Sequence, residues 1–353
     1  MSKPKVFVYT PLDESGLSHG ELAEAGCEVV LGDLVWRTKM GATHDDVLRL
    51  GSSAQAMIGA IVRGVIFDGS FMDRMPELRI IAKYSIGYDD VDVDAAAERG
   101  ILVTHSPTEA NWGAVAEGTM AMMLGLLKQV RERDRHVKEG GWRIPELDAT
   151  YLGQRQDGYG GVTIGIIGLG RIGSRIAALL APWRVRLIAY DPYIDESKFV
   201  HHNVQAVDLQ TLLKESDVVT IHCNLTHETR HLISKAQFTL MKSSAIIVNA
   251  ARGPIVDGDA LFDALDKDVI AGAAIDVFEI EPVPTQSPLL GLGEKILVSP
   301  HNISATKGGG LGPAIPWATQ AALTALRGEV PRHVVNVDAI PKWRDRFQGN
   351  SLI

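Results

Sequence analysis

Cysteine is nearly missing from this chain of 353 residues: Cys27 and Cys223 are the only two. They build no disulfide framework and show no metal-ligand spacing. A stapled secreted scaffold is therefore not expected, nor is a metal site, and a reducing, cytoplasmic compartment is. Runs of lysine and arginine are absent too, and the formal net charge is -8. That balance argues against non-specific nucleic-acid binding. No long apolar run opens the sequence. Met1-Ser2-Lys3-Pro4-Lys5 leads straight into Val6 to Tyr9, which is too short for a signal peptide or a membrane span. What remains is the composition of an ordinary globular protein with ample apolar material, long enough for about two domains.

The most informative stretch runs from Val162 to Asp191. Val162-Thr163-Ile164-Gly165-Ile166-Ile167 reads as a strand, Gly168-Leu169-Gly170-Arg171-Ile172-Gly173 as a glycine turn opening a helix, and Val185 to Tyr190 as a second strand closed by Asp191. Gly168 permits the tight turn, Gly170 lets the backbone approach a pyrophosphate, and Gly173 lets helix and strand pack closely. The helix N-terminus offers N–H groups to phosphates. A carboxylate ending the second strand can accept hydrogen bonds from an adenosine ribose. Dinucleotide binding is expected here, with Asp191 favouring NAD because a 2′-phosphate would meet a carboxylate. Pro192 and Tyr193 supply no cation for that phosphate.

Apolar strands alternate with helices on both sides of this stretch, which predicts parallel α/β architecture. The alternation before Pro107 forms one unit. A long helix from about Trp112 to His136 follows, apolar nearly all round from Ala114 to Leu127 and charged beyond it. Residues 140–161 read as an irregular arm with Trp142, Tyr151 and Tyr159. The run at 45–84 echoes the run at 209–249. Two similar doubly wound parallel-sheet domains with a cleft between them are therefore expected, a flavodoxin-like one and a Rossmann nucleotide domain. One continuous sheet would be unusually large. The expected bounds are 1–107 with 308–353 for the substrate domain and 108–307 for the nucleotide domain. The helix from Pro316 to Leu326 carries the chain back.

Three later segments make the reading specific: Val248-Asn249-Ala250-Ala251-Arg252-Gly253, Asp276-Val277-Phe278-Glu279-Ile280-Glu281-Pro282, and Ser299-Pro300-His301. With the glycine turn they resemble the D-isomer-specific 2-hydroxyacid dehydrogenases, over nearly the whole chain. Reduction of a 2-oxo acid needs a cation for the carboxylate, a proton donor for the carbonyl oxygen and a hydride source. Arg252 can grip a carboxylate bidentately. His301 titrates near working pH, and Glu281 would fix its tautomer and stabilise its protonated form. The resemblance implies that Arg252, Glu281 and His301 are the catalytic residues. Among the histidines, His301 alone has an obvious carboxylate partner motif; His19, His44, His105, His136, His201, His202, His227, His231 and His333 read as structural or solvated.

The resemblance also implies a cofactor wall. Arg171 and Ile172 join the three glycines on the pyrophosphate. Ala250 and Arg252 border the nicotinamide side, where Asp276 would bond the nicotinamide amide, and Thr229 and Cys223 fall in the adenine–ribose wall. His222 lines the cofactor cleft, Asn224 sits in the nicotinamide-side loop, and Ala251, His301 and Ser304 are further cofactor-binding residues. Ser85, Ile86 and Gly87 match the family segment whose backbone amides hold the substrate carboxylate. Arg63 and Lys83 end neighbouring strands and could read a distal anionic group, or could equally be structural. A D-stereospecific enzyme acting on a small 2-oxo or 2-hydroxy acid is expected, as a homodimer, with no membrane partner. The alternative is an NAD-sensing, non-enzymatic binding protein resembling corepressors of this fold. Departures are Asn224, where the family commonly has proline, and Lys307 to Pro313, whose glycines and proline forbid a good helix where members usually run into one. The stretch after Asn336 is expected to be too short for the appended regulatory domain of many phosphoglycerate dehydrogenases.

Overall fold

The structure, a computed structural model, describes residues 3–34, 42–62, 64–307 and 310–353. They divide into two compact units, one of residues 1–111 with 307–353 and one of residues 112–306.

In the first unit, short runs of β-branched and small apolar residues form β1 (Lys5–Val8), β2 (Glu28–Leu31), β3 (Ala56–Gly59), β4 (Ile80–Lys83) and β5 (Leu102–Thr104). They pair in parallel in the order β2-β1-β3-β4-β5. β3 and β4 are buried along their whole length, as expected where helices cover both faces of a parallel sheet. Acidic and hydroxyl caps start the helices: Thr43 and Asp46 form a capping box ahead of His44–Gly51, and Asp92 accepts from Ala95 N ahead of Val93–Glu98. Such caps satisfy donors that a helix start leaves unpaired. The helix Ile315–Leu326 returns to this unit and packs on β3 and β4. A further helix, Ile340–Phe347, seats a fully buried Trp343 whose Nε1 donates to Arg79 O at 3.0 Å.

The second unit holds β6 (Thr163–Ile167), β7 (Arg186–Tyr190), β8 (Gln205–Ala206), β9 (Val218–Ile221), β10 (Ile246–Asn249), β11 (Gly272–Ile275) and β12 (Ile296–Val298). All pairs are parallel and the order is β12-β11-β10-β9-β6-β7-β8. The strand order reverses beside β6: β7 lies on one side and β9 on the other. Open α/β sheets bind ligands at such a switch, outside the carboxyl ends of the strands.

Both sheets are parallel and separate, so the expected two-domain α/β architecture holds and the single-sheet alternative is excluded. One element differs. The long helix is two helices, Glu109–Leu127 and Val130–Lys138, parted by Gln129 at φ +49°. The left-handed turn stops the backbone ladder at the point where the apolar sequence gives way to charge.

Candidate active site

Every motif residue of the second unit follows a strand of one sheet at its carboxyl end. Gly168 follows β6, Asp191 follows β7, His222 follows β9, Arg252 follows β10, Asp276 to Glu281 follow β11, and His301 follows β12.

The glycine turn meets the demands of a dinucleotide. Gly168 has φ +89°, and a Cβ there would lie 2.7 Å from Cys223 N and 2.8 Å from His222 C. A Cβ on Gly173 would meet Gly168 O at 2.1 Å. Around Gly170, by contrast, nothing lies within 4 Å of where a Cβ would be. Gly170 starts the helix Arg171–Leu180 with no side-chain cap, which leaves its first N–H groups available to an anion. Asp191 braces this loop: Oδ2 accepts from Leu169 N at 2.9 Å and Oδ1 from Tyr193 N at 3.1 Å. Each carboxylate oxygen retains capacity for a ribose hydroxyl. Next to the turn, His222 N donates to Ile167 O, its Nε2 meets Thr220 Oγ1 at 2.8 Å, and its buried Nδ1 has no partner among the described residues. Desolvation draws this imidazole down to about 3, so it stays neutral. Burial pushes the neighbouring Cys223 thiol up to about 11. Thr229 ties its own loop, donating from Oγ1 to Asn224 O at 2.7 Å. An open glycine, uncapped amides, a placed carboxylate and an orphaned ring nitrogen together fit NAD.

On the other half of the sheet, Asn249 locks the turn that carries Arg252. Its Oδ1 accepts from Ala251 N at 3.1 Å and its Nδ2 donates to Arg252 O at 3.0 Å. Ala250 and Ala251 are buried, and Arg252 Nη1 donates to Ala251 O at 2.7 Å. After β11, Glu281 Oε1 accepts from Phe278 N at 3.0 Å, and Oε2 lies 2.7 Å from His301 Nδ1. A carboxylate only accepts, so Nδ1 carries the hydrogen and Nε2 is left for chemistry. His301 sits at φ +52°, a conformation rare for non-glycine residues and concentrated at functional sites. Asp276 holds it there: its carbonyl accepts from His301 N at 2.7 Å, and its carboxylate accepts from Asn302 N at 3.0 Å and Ile303 N at 3.3 Å. Ser304, half-buried, lies one residue further along.

Of the two readings offered for Lys83, its contacts match the structural one. It is fully buried, and its Nζ donates to Asp90 Oδ2 at 2.7 Å, Tyr9 Oη at 2.8 Å and Ala60 O at 2.9 Å. Those acceptors use all three ammonium hydrogens. His231, read as structural or solvated, has an exposed carboxylate partner. Its Nε2 lies 2.6 Å from Glu279 Oε1, an exposed pair whose carboxylate also caps Gly258 N. Arg63 lies outside the described residues. The Ser85–Gly87 loop is held at three carbonyls: Ser85 O accepts from Ser106 N, Ile86 O from His105 Nδ1 and Gly87 O from Ser85 Oγ. His105 escaped the sequence reading because its partner lies 19 residues away along the chain. Among the described residues no group of histidine, cysteine and acidic side chains could hold a metal, and no helix is long and apolar enough to cross a membrane.

This fold and this turn define a dinucleotide-binding α/β protein with a paired histidine and carboxylate at the sheet edge. Comparison with known proteins narrows it. The NAD binding domain of D-isomer specific 2-hydroxyacid dehydrogenases matches residues 120–302. The chain is similar to a glyoxylate reductase of Korarchaeum cryptofilum, 36% identical over 98% of this chain and 100% of that protein. Among solved structures it resembles the TT0316 protein of Thermus thermophilus, at 31% identity and TM-score 0.79, covering 94% of this chain and 99% of that one. It also resembles an Aquifex aeolicus D-lactate dehydrogenase solved with NAD and lactic acid, at 25% identity and TM-score 0.78, covering 96% and 98%. The chain belongs to the D-isomer specific 2-hydroxyacid dehydrogenase family, and its cofactor is NAD.

Proposed function

We propose that this enzyme interconverts a small, unphosphorylated 2-oxo acid and its D-2-hydroxy acid. The observation that carries the reading is the 2.7 Å pair of His301 Nδ1 and Glu281 Oε2, on the same sheet edge as Arg252 and the glycine turn. When bound, NADH supplies a hydride to the carbonyl carbon. The chain does the rest. Arg252 grips the carboxylate with its planar guanidinium and polarises the carbonyl. Within the first unit, the Ile86 and Gly87 backbone N–H groups suit a carboxylate. His301 gives its Nε2 proton to the carbonyl oxygen as negative charge develops there, and Glu281 stabilises the imidazolium beforehand and keeps the ring in place. In the reverse direction the neutral imidazole takes the hydroxyl proton.

The engagement of Lys83 supports an unphosphorylated substrate, since its charge is spent on Asp90. The relatives named glyoxylate reductase point the same way. Nothing favours the non-enzymatic alternative. Steady-state NADH oxidation with glyoxylate, hydroxypyruvate, pyruvate, phenylpyruvate and 3-phosphohydroxypyruvate tests the proposal. Turnover of the small unphosphorylated acids is expected, and absence of turnover with every 2-oxo acid would sink it. Glycolate is achiral, so stereochemistry is read from the hydroxypyruvate or pyruvate product by chiral chromatography, where the D isomer is expected.

A further inference from the structure

The Ser85–Gly87 loop follows β4, and its neighbour β5 leads into His105 and Ser106. Two donors after β5 hold two consecutive carbonyls of the loop. Ser106 N donates to Ser85 O at 3.2 Å, and His105 Nδ1 lies 3.1 Å from Ile86 O. A carbonyl only accepts, so Nδ1 is the protonated nitrogen. In a trans peptide the C=O and the following N–H point in opposite directions. Turning Ser85 O toward β5 therefore aims Ile86 N–H away from it, and turning Ile86 O toward His105 does the same for Gly87 N–H. Neither amide has an acceptor among the described residues. Two adjacent N–H groups aimed to one side make a concavity for an anion.

The imidazole is itself held firmly. The segment carrying His333 runs beside β5: Thr104 bridges Val334, Val335 N donates to Val103 O at 2.9 Å, and the Asn336 side chain bonds Val103 N and Ile101 O at 2.9 Å each. His333 places its ring 6.3 Å from that of His105 and stacks on Trp317 at 5.0 Å with an interplanar angle of 18°. Tyr88 meets the His105 ring edge-on at 6.1 Å.

We propose that His105 is a positioning residue for substrate capture: its Nδ1–H, with Ser106 N, turns the Ile86 and Gly87 amides toward the 2-oxo acid carboxylate. The inference rests on reading that loop as carboxylate-binding, so wild type serves as the control for that reading. His105→Phe keeps a ring in the row and removes the donor. His105→Asn puts an amide nitrogen on Cγ, where Nδ1 is, and removes the ring.

The test is steady-state kinetics of the full-length enzyme with NADH and hydroxypyruvate, with the thermal midpoint recorded for each variant. His105→Phe is expected to raise KM for the 2-oxo acid about tenfold, the scale of one lost hydrogen bond, with KM for NADH and kcat within about twofold. His105→Asn is expected to recover most of that loss. A wild-type KM in His105→Phe overturns the proposal. So does a rise in both KM values with a falling midpoint, or a failure of His105→Asn to outperform His105→Phe, because either marks a role in packing alone. A wild type that reduces no 2-oxo acid overturns the carboxylate reading itself, and this proposal with it.

Discussion

Asp191 accepts from Leu169 N and Tyr193 N, and it ends the strand where we propose that the adenosine ribose binds. Replacing it with alanine removes the charge that opposes a 2′-phosphate and loosens the turn. The ratio of kcat/KM with NADPH to that with NADH should rise at least about tenfold, with KM for NADH also rising. An unchanged ratio would refute the assignment. Glu281→Gln leaves His301 without its anionic partner, and kcat should fall by about 10²-fold or more, as when the orienting carboxylate of a catalytic histidine is removed. Arg252→Lys loses the bidentate fork and should act mainly on KM for the 2-oxo acid. Cys223 gives a prediction in pH. With its thiol at about 11, only about one molecule in a thousand carries a thiolate at pH 8. Alkylation by iodoacetamide should be slow there and should accelerate about tenfold per pH unit up to about 11. Fast labelling at pH 8 would contradict the raised thiol pKa. At this scale the sequence was most legible where a residue's role depends on near neighbours. The glycine turn is such a case, since six consecutive residues state the whole requirement. His105 and Lys83 were legible only as general structural readings, because partners such as Ile86 O and Tyr9 Oη come from other segments.

Among the elements, β4 and the strands beside it are organised around a buried ion pair. Lys83 Nζ bonds Asp90, Tyr9 and Ala60, its charge lies 5.3 Å from the Tyr9 ring centre and 5.7 Å from that of Phe67, and Asp90 Oδ2 also accepts from Val62 N at 3.1 Å. Burial draws the ammonium below its ordinary value while Asp90 opposes the shift. Breaking such a pair strands a charge in an apolar interior. Asp90→Ala should destabilise the protein by about 3–5 kcal/mol, whereas Lys83→Met combined with Asp90→Leu should recover much of that. Denaturant midpoints of the single and double variants measure the difference, and a loss in Asp90→Ala below about 1 kcal/mol would show that the ammonium finds water or another partner. The strands were legible throughout the two sheets except for β8, a two-residue exposed edge with no apolar pattern. The helices Glu196–His201 and Ile340–Phe347 were not read either. The first is mostly polar, with burial confined to Phe199, so it has no periodicity to detect. The second does space Ile340, Trp343 and Phe347 at helical intervals, but it is only eight residues long. The break at Gln129 carries no sequence signal, since neither glycine nor proline marks it.

For the whole molecule, the helix Val130–Lys138 raises the question of assembly. None of its residues is buried. Helices this short are marginal without tertiary packing of an apolar face. Its polar side is accounted for: Arg131 donates to Ile296 O, Arg133 to Leu147 O, Arg135 pairs with Glu294 and Lys138 with Asp134. Its apolar residues are not. Val130 and Val137, seven apart and so on one face, are each 56% exposed, and the arm that follows adds Trp142 at 72% and Tyr151 at 53%. Apolar side chains left exposed on one helix face are candidates for an association surface. A second copy of the chain is the occupant we expect, because one patch can pair with itself about a two-fold axis, the commonest symmetry of soluble oligomers. Sedimentation equilibrium at micromolar concentration should give twice the 38.2 kDa chain mass. Val137→Asp with Trp142→Asp should shift it to the monomer by placing unpaired charge in the contact. Wild-type protein that sediments as a monomer would refute the dimer, and a dimer indifferent to both substitutions would move the contact to another surface.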